Sequence, residues 1–205
     1  MSRVVVVDYE AGNLKSVETA LKKLKADYTV TKDPDQILRA ERCIFPGVGE
    51  ARTAMEVLKA SALDEALRDF RAAGRPLLGI CIGCQLIFTR SEERNAVCLD
   101  LLPGAAIRFA PSAGLKIPHM GWNTVGYRRE HPLFAGIPDQ SYFYFVHSFY
   151  PAPADPELVV AECEYGVVFA AAVARENLAA VQFHPEKSGL RGLRLLANFL
   201  AWNPA

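Results

Sequence analysis

The pentapeptide Gly79-Ile80-Cys81-Ile82-Gly83 places a thiol where a short apolar run meets a segment of helical spacing. A glycine two residues before a nucleophile and another two residues after it suit a tight strand-to-helix elbow, where larger side chains would collide as the chain turns. A thiol at the start of a helix also meets the positive end of the macrodipole, which favours the thiolate. Two other readings compete. A free cysteine is most often an inert core residue, and Cys81-Ile82-Gly83-Cys84 is also a C-x-x-C redox pattern. The run Gln182-Phe183-His184-Pro185-Glu186-Lys187 weighs for the nucleophile. His184 follows the apolar residues 178–181, and in an extended chain Glu186 lies on the same side as His184, with Pro185 stiffening the spacing. A cysteine nucleophile needs a base, and the base needs an acceptor that fixes its tautomer. Cys81, His184 and Glu186 fill those three roles.

Such groups belong at strand ends, where open α/β sheets hold their sites. The β-branched run 4–7 reads as a strand buried on both faces, and Asn13 as the N-cap of a helix carrying Leu14, Val17, Leu21 and Leu24. Strands at 28–31, 43–45 and 77–80 alternate with helices at 34–39, at 51–73 with a break near Ser61, and at 84–88. From 105 onwards short strands are predicted at 105–109, 124–127, 142–149, 158–163, 167–173 and 178–183, before a final helix with Leu190, Leu193, Leu196, Ala197 and Leu200. The fold class is α/β: a mostly parallel central sheet with antiparallel additions in the C-terminal half, forming one domain over 1–205.

Composition narrows the function. The chain has 205 residues with 23 Lys+Arg against 23 Asp+Glu, so its charge lacks the basic bias of a nucleic-acid binder. No apolar run reaches the roughly 20 residues of a membrane span, and the N-terminus lacks a signal-type cleavage site. Five scattered cysteines argue for a reducing compartment rather than a disulfide scaffold. The expectation is a cytoplasmic protein without nucleic-acid or membrane partners. His119, His131, His147 and His184 are far apart in sequence and no second cysteine pair exists, so no metal site is expected.

Two loops and one strand add to this. Pro46-Gly47-Val48-Gly49-Glu50 joins a strand to a helix, so its backbone N–H groups can bind an anion; without a Gly-Lys-Ser/Thr ending it is not a P-loop. An oxyanion-hole loop and an ordinary turn are both open for it. Pro118-His119-Met120-Gly121-Trp122-Asn123 is the second loop. In the run 142–150, Tyr142, Tyr144, Val146 and Ser148 share one face and Phe143, Phe145, His147 and Phe149 the other, as in a central strand or one at a partner interface.

With Gln85 following Cys84, Gly79–Gln85 together with Gln182–Glu186 resembles the class I (triad) glutamine amidotransferases. Asp8-Tyr9, Gly12-Asn13-Leu14, Pro46–Gly49, Pro118–Asn123, Tyr144–Ser148 and Glu186-Lys187-Ser188 resemble the branch of that family that feeds ammonia to the (β/α)8-barrel cyclase of imidazole glycerol phosphate synthase. The likeness runs from about residue 4 to residue 200, and it makes the redox reading unfavourable. It implies a flavodoxin-like three-layer domain, glutamine as substrate, no cofactor, and a heterodimer with the cyclase in histidine biosynthesis. It also implies Cys81 as nucleophile, His184 as base and acid, Glu186 as its orienter, and Gly47, Val48 and Gly49 as the oxyanion hole. Gln85, Glu93, His147 and Ser148 then line the glutamine site, while Asn13, Trp122, Asn123, Tyr144 and Lys187 match positions at the cyclase interface or channel.

The chain departs from the family pattern at Cys84, where methionine is usual, and at Glu10, where glycine is frequent. Residues 94–100 lack the glycines expected beyond Glu93. The alternatives to this reading are a different synthase partner and a catalytically silent regulatory subunit. The first is disfavoured by the 118–123 and 144–148 motifs, the second by the complete triad.

Overall fold

The apolar runs near the N-terminus become parallel strands because both faces of each are covered. β1 (Val4–Val7) is buried along its length, with Val5 and Val7 in one hydrophobic cluster and Val4 and Val6 in the opposite one. This computed structural model describes residues 4–10, 14–111 and 115–204, so the N-cap and interface roles expected of Asn13 lie outside the described residues. α1 (Leu14–Lys23) turns Val17, Ala20 and Leu21 to the core and ends on Lys22 and Lys23, cations suited to a helix C-terminus. After β2 (Tyr28–Thr31), α2 (Pro34–Arg39) starts where the Asp33 carboxylate accepts from Asp35 N at 2.9 Å, with Pro34 in the first turn. β3 (Arg42–Phe45), α3 (Ala51–Ala60), α4 (Leu63–Ala72) and β4 (Leu77–Ile80) follow, and Ser61 caps α3 at the predicted break.

α5 (Ile82–Leu86) begins and ends two residues before the predicted 84–88, because Phe88 already belongs to β5 (Phe88–Ser91). The cause is a returning segment: Leu99 N, Leu101 N and Asp100 N take the carbonyls of Leu86, Ile87 and Phe88, which a longer helix would have used. A 3₁₀ turn at Glu93–Asn95 leads into β6 (Ala96–Val97) and β7 (Leu102–Arg108). The C-terminal half comprises β8 (His119–Tyr127), β9 (Ser141–His147), β10 (Phe149–Pro153), β11 (Val159–Glu164), β12 (Val168–Arg175), β13 (Leu178–Val181) and α6 (Gly189–Ala201).

Nine strands form one sheet in the order β2-β1-β3-β4-β13-β12-β11-β8-β9. The first five are parallel and the remaining pairings antiparallel. The side chains of α2 to α5 pack on one face and those of α1 and α6 on the other, giving three layers. A second sheet, β10-β7-β5-β6, stands beside it. The predicted single strand 142–149 is two strands: the chain bends at Ser148 and carries Phe149 out of the first sheet into the second. No helix is long and apolar enough to cross a membrane among the described residues.

The decisive topological fact is that β13 lies between β4 and β12, parallel to β4, with Val181 opposite Ile80. Residues following β4 and β13 therefore emerge side by side at one sheet edge, though a hundred residues separate them in the chain.

Candidate active site

Cys81 sits at φ 55, ψ −108, a backbone conformation that L-residues with side chains rarely adopt. It is held there by Cys81 N donating to Val181 O at 2.9 Å and by Cys81 O accepting from Cys84 N at 3.0 Å. The flanking glycines are required by contact. A Cβ on Gly83 would stand 2.0 Å from Phe45 O, and one on Gly79 would stand 2.9 Å from Gly83 O. The elbow expected from the sequence is thus present, and its glycines let α5 pass directly over β3 and β4. Cys84 is fully buried, and burial, helped by the nearby Cys81, pushes its thiol well up; both cysteines are free. A thiol so held does not suit redox exchange.

His184 is buried, and its Nδ1 lies 2.7 Å from Glu186 Oε1. The contact matches the sequence expectation, but its geometry differs. Residues Pro185–Lys187 form a 3₁₀ turn rather than extended chain, with Pro185 at its first position, and that turn carries Glu186 back to the ring. Ser188 pins the turn: its Oγ donates to His184 O at 2.6 Å and accepts from Tyr144 N at 3.0 Å, while His184 N donates to Tyr144 O at 2.9 Å. Gly192 lets α6 pack on it, since a Cβ there would lie 1.8 Å from Pro185 O. Burial alone lowers the imidazole pKa, but the neighbouring Cys81 sulfur first, and the Glu186 carboxylate with its hydrogen bond second, outweigh it and push the value up to about 10. His184 Nε2 has no hydrogen-bond partner among the described residues. The ring is anchored through one nitrogen, with its charged form favoured and the other nitrogen available beside the thiol.

Cys81 lines a cleft of about 300 Å³ together with Val48, Gly49, Gln85, Glu93, Val146, His147 and Ser148. Gly47 does not line it; it is buried under the Tyr9 ring. Gly49 has φ +112 and open space around its Cα, so its glycine character is conformational. No backbone hydrogen bond engages the N–H of Gly47, Val48 or Gly49 among the described residues, and of the three only Val48 and Gly49 line the cleft where an anion could be received. Glu93 is half-buried, and burial raises its carboxyl pKa against the opposing hydrogen bond from Ala51 N, 2.7 Å from Oε2. The segment lacking glycines is held in left-handed conformation by other residues, Arg94, Asn95 and Asp100, with φ of 51, 53 and 55. Glu10, the other departure, likewise has φ 64.

A polar chain runs behind the cleft and joins the expected Gln85, His147 and Asn123 to Gln182 and His119, to which the sequence assigned no role. Gln182 Nε2 points at Cys81 Sγ from 3.8 Å; Gln85 Nε2 donates to Gln182 Oε1 and to Phe149 O, both at 2.9 Å. His147 Nδ1 lies 2.8 Å from the same Phe149 O, its Nε2 lies 2.9 Å from His119 Nδ1, and His119 Nε2 faces Asn123 Nδ2 at 3.3 Å. Burial pushes His119 down to about 4 and His147 to about 3, so both are neutral near pH 7 and the carbonyl places a proton on His147 Nδ1. Gln182 has a signal in the sequence, as a polar residue directly after an apolar strand. The contacts of His119 with His147 and of Ser188 with Tyr144 have none, since those partners come from distant segments.

Of the expected interface residues, Trp122 is 54% exposed and meets Tyr144 edge-on at 6.1 Å, and Lys187 Nζ lies 5.9 Å from the Tyr144 ring. Met120 and Tyr142 extend this exposed face of the β8–β9 hairpin. Asn123 is partly committed inward, donating to Glu164 O at 2.9 Å.

The chain matches the family described as glutamine amidotransferase class-I over residues 5–202. It is 52% identical to the imidazole glycerol phosphate synthase subunit HisH of Methylococcus capsulatus, covering 100% of this chain and 98% of that protein. It is 48% identical to the protein of the same name in Aromatoleum aromaticum, with both chains fully covered. Among solved structures, PurLQS from Thermotoga maritima superposes with a TM-score of 0.76 at 20% identity, covering 98% of this chain and 99% of that one. The glutaminase domain of Trypanosoma brucei CTPS gives 0.67 at 16% identity, covering 100% and 96%. These two likenesses concern the fold.

Proposed function

The chain belongs to the class-I glutamine amidotransferase family and is the glutamine amidotransferase subunit of an imidazole glycerol phosphate synthase in histidine biosynthesis; from that premise we propose how its residues do the work. Cys81 is the nucleophile, His184 the acid and base, and Glu186 the group that orients the imidazole, within one domain over 1–205. The observation that carries this is the ring of His184, anchored by Nδ1 to Glu186 at 2.7 Å with a free Nε2, on the strand end adjacent to the elbow of Cys81.

The steps follow from these positions. The Cys81 thiolate attacks the side-chain amide carbon of glutamine, and the carbonyl oxygen becomes an oxyanion that the N–H groups of the Gly47–Gly49 loop receive. Imidazolium at His184 gives its Nε2 proton to the amide nitrogen; the C–N bond breaks, leaving ammonia and a glutamyl thioester. His184, now neutral, takes a proton from water as that water attacks the thioester carbon. Glutamate leaves, and thiolate and imidazolium are restored. Gln85, Glu93, His147 and Ser148 hold the substrate, with Glu93 suited to its ammonium group.

Ammonia released into water becomes ammonium, which is not a nucleophile, so the product must pass to its acceptor under cover. The exposed face of Trp122, Tyr144 and Lys187, with Asn123 at its edge, docks on a (β/α)8-barrel cyclase. The heterodimer works in the cytoplasm. The test is glutamine hydrolysis with and without the cyclase and its nucleotide ligand. Stimulation by the cyclase that vanishes in Cys81→Ala is expected, and no stimulation would refute the pairing. Labelling by a glutamine-like electrophile should fall on Cys81; labelling of Cys84 would refute the nucleophile assignment.

A further inference from the structure

Tyr9 stands beside the reaction centre and has no part in the steps above. Tyr9 is 3% exposed, its ring packs on Phe45 at 5.3 Å, and its hydroxyl has no hydrogen-bond partner among the described residues. A buried hydroxyl without a partner is destabilising, and a native fold keeps one only where something else requires it. Its position is specific. A Cβ on Gly47 would fall 1.7 Å from Tyr9 Oη and 2.3 Å from Ile82 Cγ2. The hydroxyl therefore rests on the loop that receives the oxyanion, next to the first residue of α5. Burial first, and the charge of Cys81 second, keep the phenol protonated, so it acts as a donor.

A trans peptide points its N–H and its C=O in opposite directions. When the Val48 N–H turns toward an oxyanion on Cys81, the Gly47 C=O of the same peptide turns away from the cleft and into protein, where a carbonyl needs a donor. The orphaned hydroxyl lies against that residue already. Gly47 permits the approach, and Gly49 gives the loop an unobstructed second pivot.

We propose that Tyr9 is a positioning residue for the oxyanion loop, its phenolic O–H donating to the Gly47 carbonyl in the loop arrangement that stabilises the tetrahedral intermediate. This rests on the reading of Cys81 as nucleophile and of residues 47–49 as its oxyanion loop.

Tyr9→Phe removes the hydroxyl and keeps the ring. It is compared with the wild-type chain, both bound to the cyclase, in three measurements: kcat and KM for glutamine hydrolysis, the rate of Cys81 alkylation by iodoacetamide, and Tm. Alkylation displaces iodide at a saturated carbon and develops no oxyanion, so it reports the thiol alone. The expected result is a kcat about tenfold lower, KM and alkylation rate within twofold of wild type, and a Tm equal or higher. A fall in kcat of less than threefold overturns the proposal, because the hydroxyl is then only packing. A parallel fall in alkylation overturns it by placing the effect on the thiol, and a Tm several degrees lower does so by showing that the hydroxyl already supports the resting fold. Wild-type protein that hydrolyses no glutamine would overturn the glutaminase reading beneath it, an outcome separate from the other three.

Discussion

One sheet serves two purposes in its two halves. The parallel strands β1, β3, β4 and β13 are buried along their whole length, whereas the β8–β9 hairpin buries Val125, Phe143, Phe145 and His147 on one face and leaves Met120, Trp122 and Tyr142 exposed on the other. Burial on both faces makes a rigid frame, and that frame sets a thiol and an imidazole on neighbouring strand ends. Burial on one face leaves an apolar surface of the kind that marks a docking site. The two halves meet at residues 184–188, where His184 and Ser188 are hydrogen-bonded to Tyr144 of the hairpin.

The largest effect is expected at that junction. Glu186→Gln should lower kcat/KM for glutamine by about 10³-fold or more, through loss of the group that orients and charges His184. Because Glu186 helps push the ring up to about 10, the high-pH limb of the rate profile should move to lower pH in the variant. Stability carries the same sign. A folded-state pKa above the ordinary 6.5 means that the stabilisation is complete below about 6.5 and is lost as pH rises through about 10. Urea titrations across that interval should show the loss in wild type and a smaller one in Glu186→Gln; an unmoved rate limb would detach His184 from Glu186.

In the frame itself, Gly83→Ala should cost about 3 kcal/mol in urea unfolding, because its methyl meets the Phe45 carbonyl rather than a side chain able to move. A cost near zero would mean that the elbow is softer than two-sided burial implies. On the hairpin, Trp122→Ala should leave Tm within a few degrees and weaken cyclase binding by about 2 kcal/mol, roughly 30-fold, in calorimetry. A large fall in Tm with unchanged affinity would invert the comparison, making the exposed face structural. The smallest effect should come from Glu10→Gly, which relieves a left-handed residue whose ion pair, to Lys32 at 4.0 Å, is exposed. Stability should rise by about 1 kcal/mol, read as a Tm increase of about 2–4 °C.

The same contrast governs what is legible in the sequence. Strands buried on both faces announce themselves as continuous apolar runs, and the expected bounds of Val4–Val7, Tyr28–Thr31 and Leu77–Ile80 are the observed ones. β5, with Thr89 and Arg90 facing solvent, and the two-residue β6 carry no such run; only pairing with distant residues makes them strands. The break at Ser148 is hidden because apolar residues flank it on both sides, although two sheets claim them. In the site, the elbow and the His184–Glu186 spacing are visible because their constraints are local. The contacts of Gln182 with Cys81, His119 with His147, Ser188 with Tyr144 and Tyr9 with Gly47 join segments brought close by the tertiary fold, and no spacing in the chain reports them.

β9 ends the large sheet, and an open strand edge invites pairing with any other extended chain. The turn after His184 uses both the N–H and the C=O of Tyr144, so the segment carrying His184 also occupies part of that edge. Ser188→Ala would then free the N–H of Tyr144 at that edge as well as unpin the turn that holds His184, so one hydroxyl ties the closure of the sheet to the geometry of the site.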